Sequence, residues 1–111
     1  MRLSKIFRKK EFWTKNCACR DEFGYSVNIN ETPIDSERSS EFVKKIKSWS
    51  LYGAVAFHYS YPSNKRYHIM DKLKHAIQRV TGKQMTVPEF NDSPTTTFEQ
   101  IQKVIKIAEK Q

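Results

Sequence analysis

Apolar residues recur at helical spacing in several stretches of this chain, and the longest of them runs from Glu41 to Tyr59. Phe42, Ile46, Trp49, Gly53 and Phe57 fall on one face there, with Val43, Ser50 and Ala54 beside them, so the pattern predicts a central helix over 40–59. Gly53, Ala54 and Ala56 leave little bulk in the middle of that face, room for another helix to approach closely. A second pattern competes from Gly53 onward, where Val55, Phe57, Tyr59 and Tyr61 alternate with Ala54, Ala56, His58 and Ser60 as in a strand. The helical phase set from Phe42 to Trp49, and the poor fit of Ala54 and Ala56 to a strand, decide for helix.

Ile69, Leu73, Ala76, Ile77 and Val80 form the apolar stripe of an amphipathic helix over 64–81, with Ser63 as its cap and Gly82 as its stop. Phe98, Ile101, Val104, Ile105 and Ala108 do the same for a C-terminal helix over 98–110, which Thr97-x-x-Gln100 opens as a capping box. Leu3, Ile6 and Phe7 mark a short basic helix over 1–10, with Arg8 to Lys10 at the end that the helix dipole favours for cations. Between these, Lys15–Cys19 and Tyr25–Ile29 read as a hairpin over 15–29 around the turn Arg20-Asp21-Glu22-Phe23-Gly24, with Gly24 at positive φ. Residues 30–40 read as a loop, and 85–94 as an irregular connection broken by Pro88 and Pro94. The expected fold is mainly α: one small helical domain of about four helices with a short N-terminal β-hairpin.

A chain of 111 residues suffices for one modest core without disulfides or metals. No apolar run has the length of a bilayer span, and the basic N-terminus lacks the features of a secretory signal, so a soluble cytoplasmic protein is expected. The two cysteines, Cys17 and Cys19, fall short of the four ligands of a structural zinc site and read as small thiols in a reducing compartment. The net charge of +8 changes the picture most, because it favours acidic partners such as nucleic acid, an anionic membrane face or an acidic protein.

Three motifs, in order and at matching spacing from Trp13 to Ala108, carry a family resemblance. They are Trp13-Thr14 leading to Arg20-Asp21 and Gly24; Trp49-Ser50-Leu51-Tyr52-Gly53-Ala54-Val55; and Phe90-Asn91-Asp92-Ser93-Pro94 followed by Thr97. Together they resemble a family of small bacterial and phage proteins classed as a domain of unknown function. The resemblance implies a mainly helical domain and brings no activity, cofactor or catalytic residue with it. This chain departs from the family's pattern at Ser50, where the family usually has Cys.

Two groups of residues stand out as candidate sites. His68, Lys72, His75, Arg79 and Lys83 recur at spacings of four and three on the polar side of the 64–81 helix, offset only by Asp71. Arg20, Asp21, Asn91 and Asp92 would form a polar cluster if Trp13, Trp49 and Phe90 shared one core, although a turn and a helix cap need Asn and Asp for local bonding alone. His68 and His75 lie seven apart with Lys72 between them, which does not suit a metal, and no phosphate loop, nucleophile elbow or zinc-protease motif is present. No catalytic residue, metal or cofactor is therefore expected.

The expected function is a small non-catalytic interaction protein, of the modulator or inhibitor kind found in bacteria and phages, binding an acidic protein surface through the basic 68–83 face and the Arg2–Lys10 cluster. The alternative is a nucleic-acid binder using the same face on phosphates, with Tyr52, Tyr59, Tyr61 or Tyr67 for stacking on a single strand. An enzyme with a polar site at Arg20, Asp21, Asn91 and Asp92 is the third reading. A continuous basic band favours nucleic acid, whereas scattered charge around an exposed apolar patch favours a protein.

Overall fold

Two amphipathic helices, α3 (Ser63–Thr81) and α5 (Phe98–Lys110), pack on each other and form the spine of the computed structural model, which describes residues 2–27, 44–59 and 63–110. The stripes legible in the sequence face one another: Leu73, Ala76 and Ile77 of α3 and Ile101, Val104, Ile105 and Ala108 of α5 are all buried. Helix α5 opens with the expected reciprocal cap, Thr97 N–H donating to Gln100 Oε1 at 3.1 Å and Gln100 N–H to Thr97 Oγ1 at 3.3 Å. Helix α3 ends at Gly82, whose φ of 74° lets its N–H return to the Gln78 carbonyl at 2.8 Å.

The central helix expected over 40–59 is interrupted by a strand. Lys44 and Lys45 are helical, Ile46–Trp49 is a strand, β3, and Leu51–His58 is helical again, as α2; residues 40–43 lie outside the described residues. Strand β3 pairs antiparallel with β1 (Cys19–Asp21), which pairs antiparallel with β2 (Ser26–Val27), giving the order β2-β1-β3. The break falls at Ser50, whose Oγ accepts the Gly53 N–H at 2.9 Å as the N-cap of α2, while its own N–H goes to the Ala18 carbonyl at 2.8 Å. A residue bonded in this way cannot continue a helix from Trp49. The described part of the apparent stripe, Ile46 to Phe57, therefore joined a strand and a helix in accidental phase. Gly53 is indeed a place of close approach, but the neighbour is the backbone of Ala18 beside β1 rather than another helix.

The hairpin is displaced from its expected position. Cys19 pairs with Val27 and Arg20 with Ser26, so pairing begins where the first strand was expected to end. Asn16, at φ 67°, interrupts extension ahead of Cys19, and the Asp21 carboxylate closes the turn by accepting the N–H groups of Phe23 and Tyr25 at 2.9 and 3.0 Å. Gly24 has the expected positive φ, 87°. Residues 28 and 29 of the expected second strand lie outside the described residues.

The N-terminal helix is also shorter than 1–10: α1 spans Leu3–Ile6, and a 3₁₀ turn follows at Lys10–Phe12. Phe7 leaves helical geometry to bury its ring, so Arg8 to Lys10 do not sit on the helix dipole as expected. Instead the Arg8 guanidinium lies 5.0 Å from the centre of the Phe12 ring. The connection expected over 85–94 holds a further helix, α4 (Val87–Asp92), opened by a capping box between Thr86 and Glu89. Pro88 breaks nothing there, because the first turn of a helix has free N–H positions. Five α-helices and a three-stranded antiparallel sheet are thus present among the described residues, sharing one cluster of buried side chains. None of these helices is long and apolar enough to cross a membrane.

Candidate functional site

Asn91 anchors the polar residues of the third sequence motif. It is fully buried, and its Oδ1 accepts both the Trp13 indole N–H at 2.8 Å and the Leu51 N–H at 2.9 Å. Its Nδ2 donates to the Thr14 carbonyl at 3.0 Å and to Asp92 Oδ1 at 2.9 Å, and Asp92 Oδ1 also takes the Asn16 N–H at 2.8 Å. Every hydrogen-bonding position of the Asn91 amide is filled, which makes it a clip between α4, α2 and the segment before β1. Arg20 holds the same segment from the other side, with Nε donating to Thr14 Oγ1 at 2.7 Å and the guanidinium also reaching the Gly24 and Lys15 carbonyls.

The four residues do not gather into one open site. Among the described residues no hydrogen bond or ion pair joins Arg20 or Asp21 to Asn91 or Asp92. Asp21 is committed to the hairpin turn, and the cavity of about 350 Å³ beside Asp92 is lined by Asn16, Cys17, Ala18, Ser50, Tyr52, Pro88 and Asn91, not by Asp21.

The basic residues are arranged differently. Lys65, His68 and Lys72 of α3 face Arg2 and Lys5 of the N-terminal segment across an open cleft of about 920 Å³, whose apolar wall is Tyr59 and Ile69. At spacings of three and four, Lys65, His68, Ile69 and Lys72 share one flank of the helix, and burial of Leu3 and Ile6 turns Arg2 and Lys5 towards that flank. Among the described residues no carboxylate lines this cleft. Glu109 borders a smaller adjoining cavity that shares Arg2, Tyr59, Ile69 and Lys72 with the cleft; its Oε1 accepts the Ser4 N–H at 2.9 Å and holds α1 on α5. The Lys65 ammonium lies 5.7 Å from the Tyr59 ring centre, and burial, with Glu109 nearby, raises the Tyr59 hydroxyl above its usual range and keeps it neutral.

His68 and Lys72 thus lie in the cleft, whereas His75 and Arg79 continue the same stripe along exposed α3, and Lys83 follows beyond Gly82. His75 Nδ1 stands 3.7 Å from Asp71 Oδ2. Lys65 is the cleft residue missed in the sequence; its place one turn before Ile69 and seven residues before Lys72 was the available signal. Lys5 also borders a second cavity of about 380 Å³, where Arg8, Lys44, Lys45 and Lys47 surround Phe12, Trp49 and His58, with Glu22 as the acidic residue. Basic side chains therefore run from Lys44 through Lys5 to Lys72.

A third cavity, of about 580 Å³, opens on the opposite flank of α3 between Tyr52, Tyr67, Met70, Val87 and Pro88. Tyr67 is 71% exposed, and Tyr52 is held by Arg66, whose guanidinium donates to the Tyr52 hydroxyl at 3.1 Å. Of the other tyrosines considered for stacking, Tyr59 is buried and Tyr61 lies outside the described residues.

The thiols are free, and burial pushes Cys19 up to about 12, so it stays a neutral side chain whose Sγ lies 3.5 Å from the Val27 carbonyl. Among the described residues, no group of three His, Cys, Asp or Glu side chains is placed to hold a metal ion. Comparison of the chain with protein-family models, curated proteins and solved structures finds no match, so the resemblance noted above rests on its three motifs alone.

Proposed function

We propose that this chain is a non-catalytic interaction module whose acidic partner is nucleic acid, bound through its phosphates. The observation that carries this reading is the convergence of Arg2 and Lys5 with Lys65, His68 and Lys72 on one cleft without a lining carboxylate among the described residues. Cations brought together from two elements repel one another, and bound phosphates relieve that repulsion while releasing their own counterions. The acidic-protein reading uses the same charges, but continuity of the basic side chains from Lys44 to Lys72 suits a repeating polyanion better than a patch of scattered carboxylates. We place the module in the cytoplasm, where nucleic acid is accessible and two free thiols stay reduced.

Fluorescence anisotropy with labelled DNA and RNA, single- and double-stranded, over a range of salt concentrations tests this. With phosphates at Arg2, Lys5, Lys65 and Lys72, log K falls with log salt at a slope of about −3. A Lys65→Glu/Lys72→Glu variant should lower that steepness by about 2. Absence of binding at low salt would overturn the proposal and return the acidic-protein reading to first place.

A further inference from the structure

We infer that the nucleic acid bound here is single-stranded, its phosphates in the basic cleft and one base in the groove between Tyr67 and Pro88. This rests on the reading of the cleft as a phosphate site and adds the form of the ligand. His68 lines both cavities, so the cleft and the groove adjoin across α3 with one side chain between them. A strand crossing the helix at His68 can lay its backbone against Lys65 and Lys72 and turn a base to the other flank.

The chemistry of the groove suits a base, since its walls are mainly aromatic and apolar. Tyr67 offers an open aromatic face, Met70 and Val87 give apolar contact, and Lys74 and Asp71 place one donor and one acceptor within reach of the polar edge of a base. The Arg66 bond to the Tyr52 hydroxyl fixes the second aromatic wall before any ligand arrives. A duplex presents phosphates to the cleft as well as a single strand does, but keeps its base faces stacked within the helix and leaves the groove empty.

The test compares a twelve-nucleotide mixed-sequence strand, the duplex of that sequence, an abasic sugar-phosphate strand of equal length, and polyglutamate, by anisotropy or competition. The proteins are wild type, Tyr67→Ala and Tyr67→Phe. The expected result is binding of the strand about 5- to 100-fold tighter than the abasic strand, with Tyr67→Ala removing the difference, Tyr67→Phe keeping it, and the salt slope unchanged in both. Duplex binding as tight as the strand, or a Tyr67→Ala variant that binds like wild type, overturns this inference and leaves the phosphate reading standing. Polyglutamate binding as tightly as every nucleic acid overturns both, in favour of an acidic protein. Because Tyr67 is exposed, its substitution tests contact with the ligand rather than folding.

Discussion

The indole N–H of Trp13 and the side-chain oxygen of Asn91 meet at 2.8 Å across 78 positions of sequence, and the same oxygen takes the first N–H of helix α2 from Leu51. One amide thus holds three parts of the fold in register. Asn91→Ala would leave the half-buried indole donor, the buried Leu51 N–H and the Thr14 carbonyl without partners. The expected cost is about 3 kcal/mol, at the upper end for single substitutions, because several desolvated groups lose their bonds together. Urea unfolding followed by tryptophan fluorescence checks it. A loss below about 1 kcal/mol would mean that water replaces the amide at little cost.

Gly53→Ala separates helix propensity from packing. Alanine favours a helix by about 1 kcal/mol over glycine. At this position, however, a new Cβ would collide with the Ala18 carbonyl, and that carbonyl is fixed by the Ser50 N–H at 2.8 Å. Because the obstacle is backbone, relief requires separating α2 from the β1 segment, so a net destabilisation of about 2–4 kcal/mol is expected. Gly82→Ala is the comparison. Nothing lies within 4 Å of its added Cβ, and only its φ of 74° is strained, for a cost of about 1 kcal/mol. Chemical denaturation of both variants should rank Gly53→Ala as the more damaging.

These two residues also mark how far the sequence could be read. The α3 and α5 stripes were legible because each helix has one buried face and one solvated face, and such patterns need no knowledge of neighbours. Ile46–Trp49 was not legible as a strand, since its partner Cys19–Asp21 lies more than twenty residues away and Ser50 serves equally as a helix residue or a cap. Helix α2 is enclosed on several sides, with Leu51, Gly53, Ala54 and Val55 all buried, so it carries little of the amphipathic contrast that periodicity detects. Helix α4 could have been found from Thr86-x-x-Glu89, the same signature read correctly at Thr97, had Pro88 been taken as a first-turn residue. The basic stripe of α3 was visible. Its meeting with Arg2 and Lys5 was not, because that depends on how α1 docks against α2 and α5.

His58 gives a pH dependence of defined sign. Its Nε2 is buried without a hydrogen-bond partner among the described residues, its ring packs edge-on against Trp49 and Phe57, and burial lowers its pKa below the ordinary 6.5. Above pH 6.5 the imidazole is neutral in both folded and unfolded chains, and this stability is fully present. As pH falls below 6.5 the unfolded chain takes up the proton first, so stability drops until the folded-state pKa is passed. Thermal unfolding from pH 7.5 to 5 should show Tm decreasing over that window. His58→Phe, which keeps the ring contacts and removes the orphaned nitrogen, should flatten it; an equally steep variant would assign the effect to other groups.

Charge reversals along the basic band distinguish a cleft from a merely solvated surface. Lys5 borders both basic cavities, Lys72 borders the larger, and Arg79 lies further along the same stripe of α3, while Lys103 is exposed on α5 and lines neither cavity. If phosphates occupy the cleft, Lys5→Glu and Lys72→Glu should each reduce the salt slope by about 1, Arg79→Glu should reduce it less, and Lys103→Glu should leave it nearly unchanged. All four variants lose the same charge, so a response to net charge alone predicts equal losses. Lys5 and Lys72 come from elements far apart in sequence, and a shared ligand also predicts that the Lys5→Glu/Lys72→Glu pair loses affinity non-additively, because the second reversal acts on a phosphate already displaced. Equal and additive effects at all four positions would place the attraction in the overall charge of the protein and remove the cleft as its site.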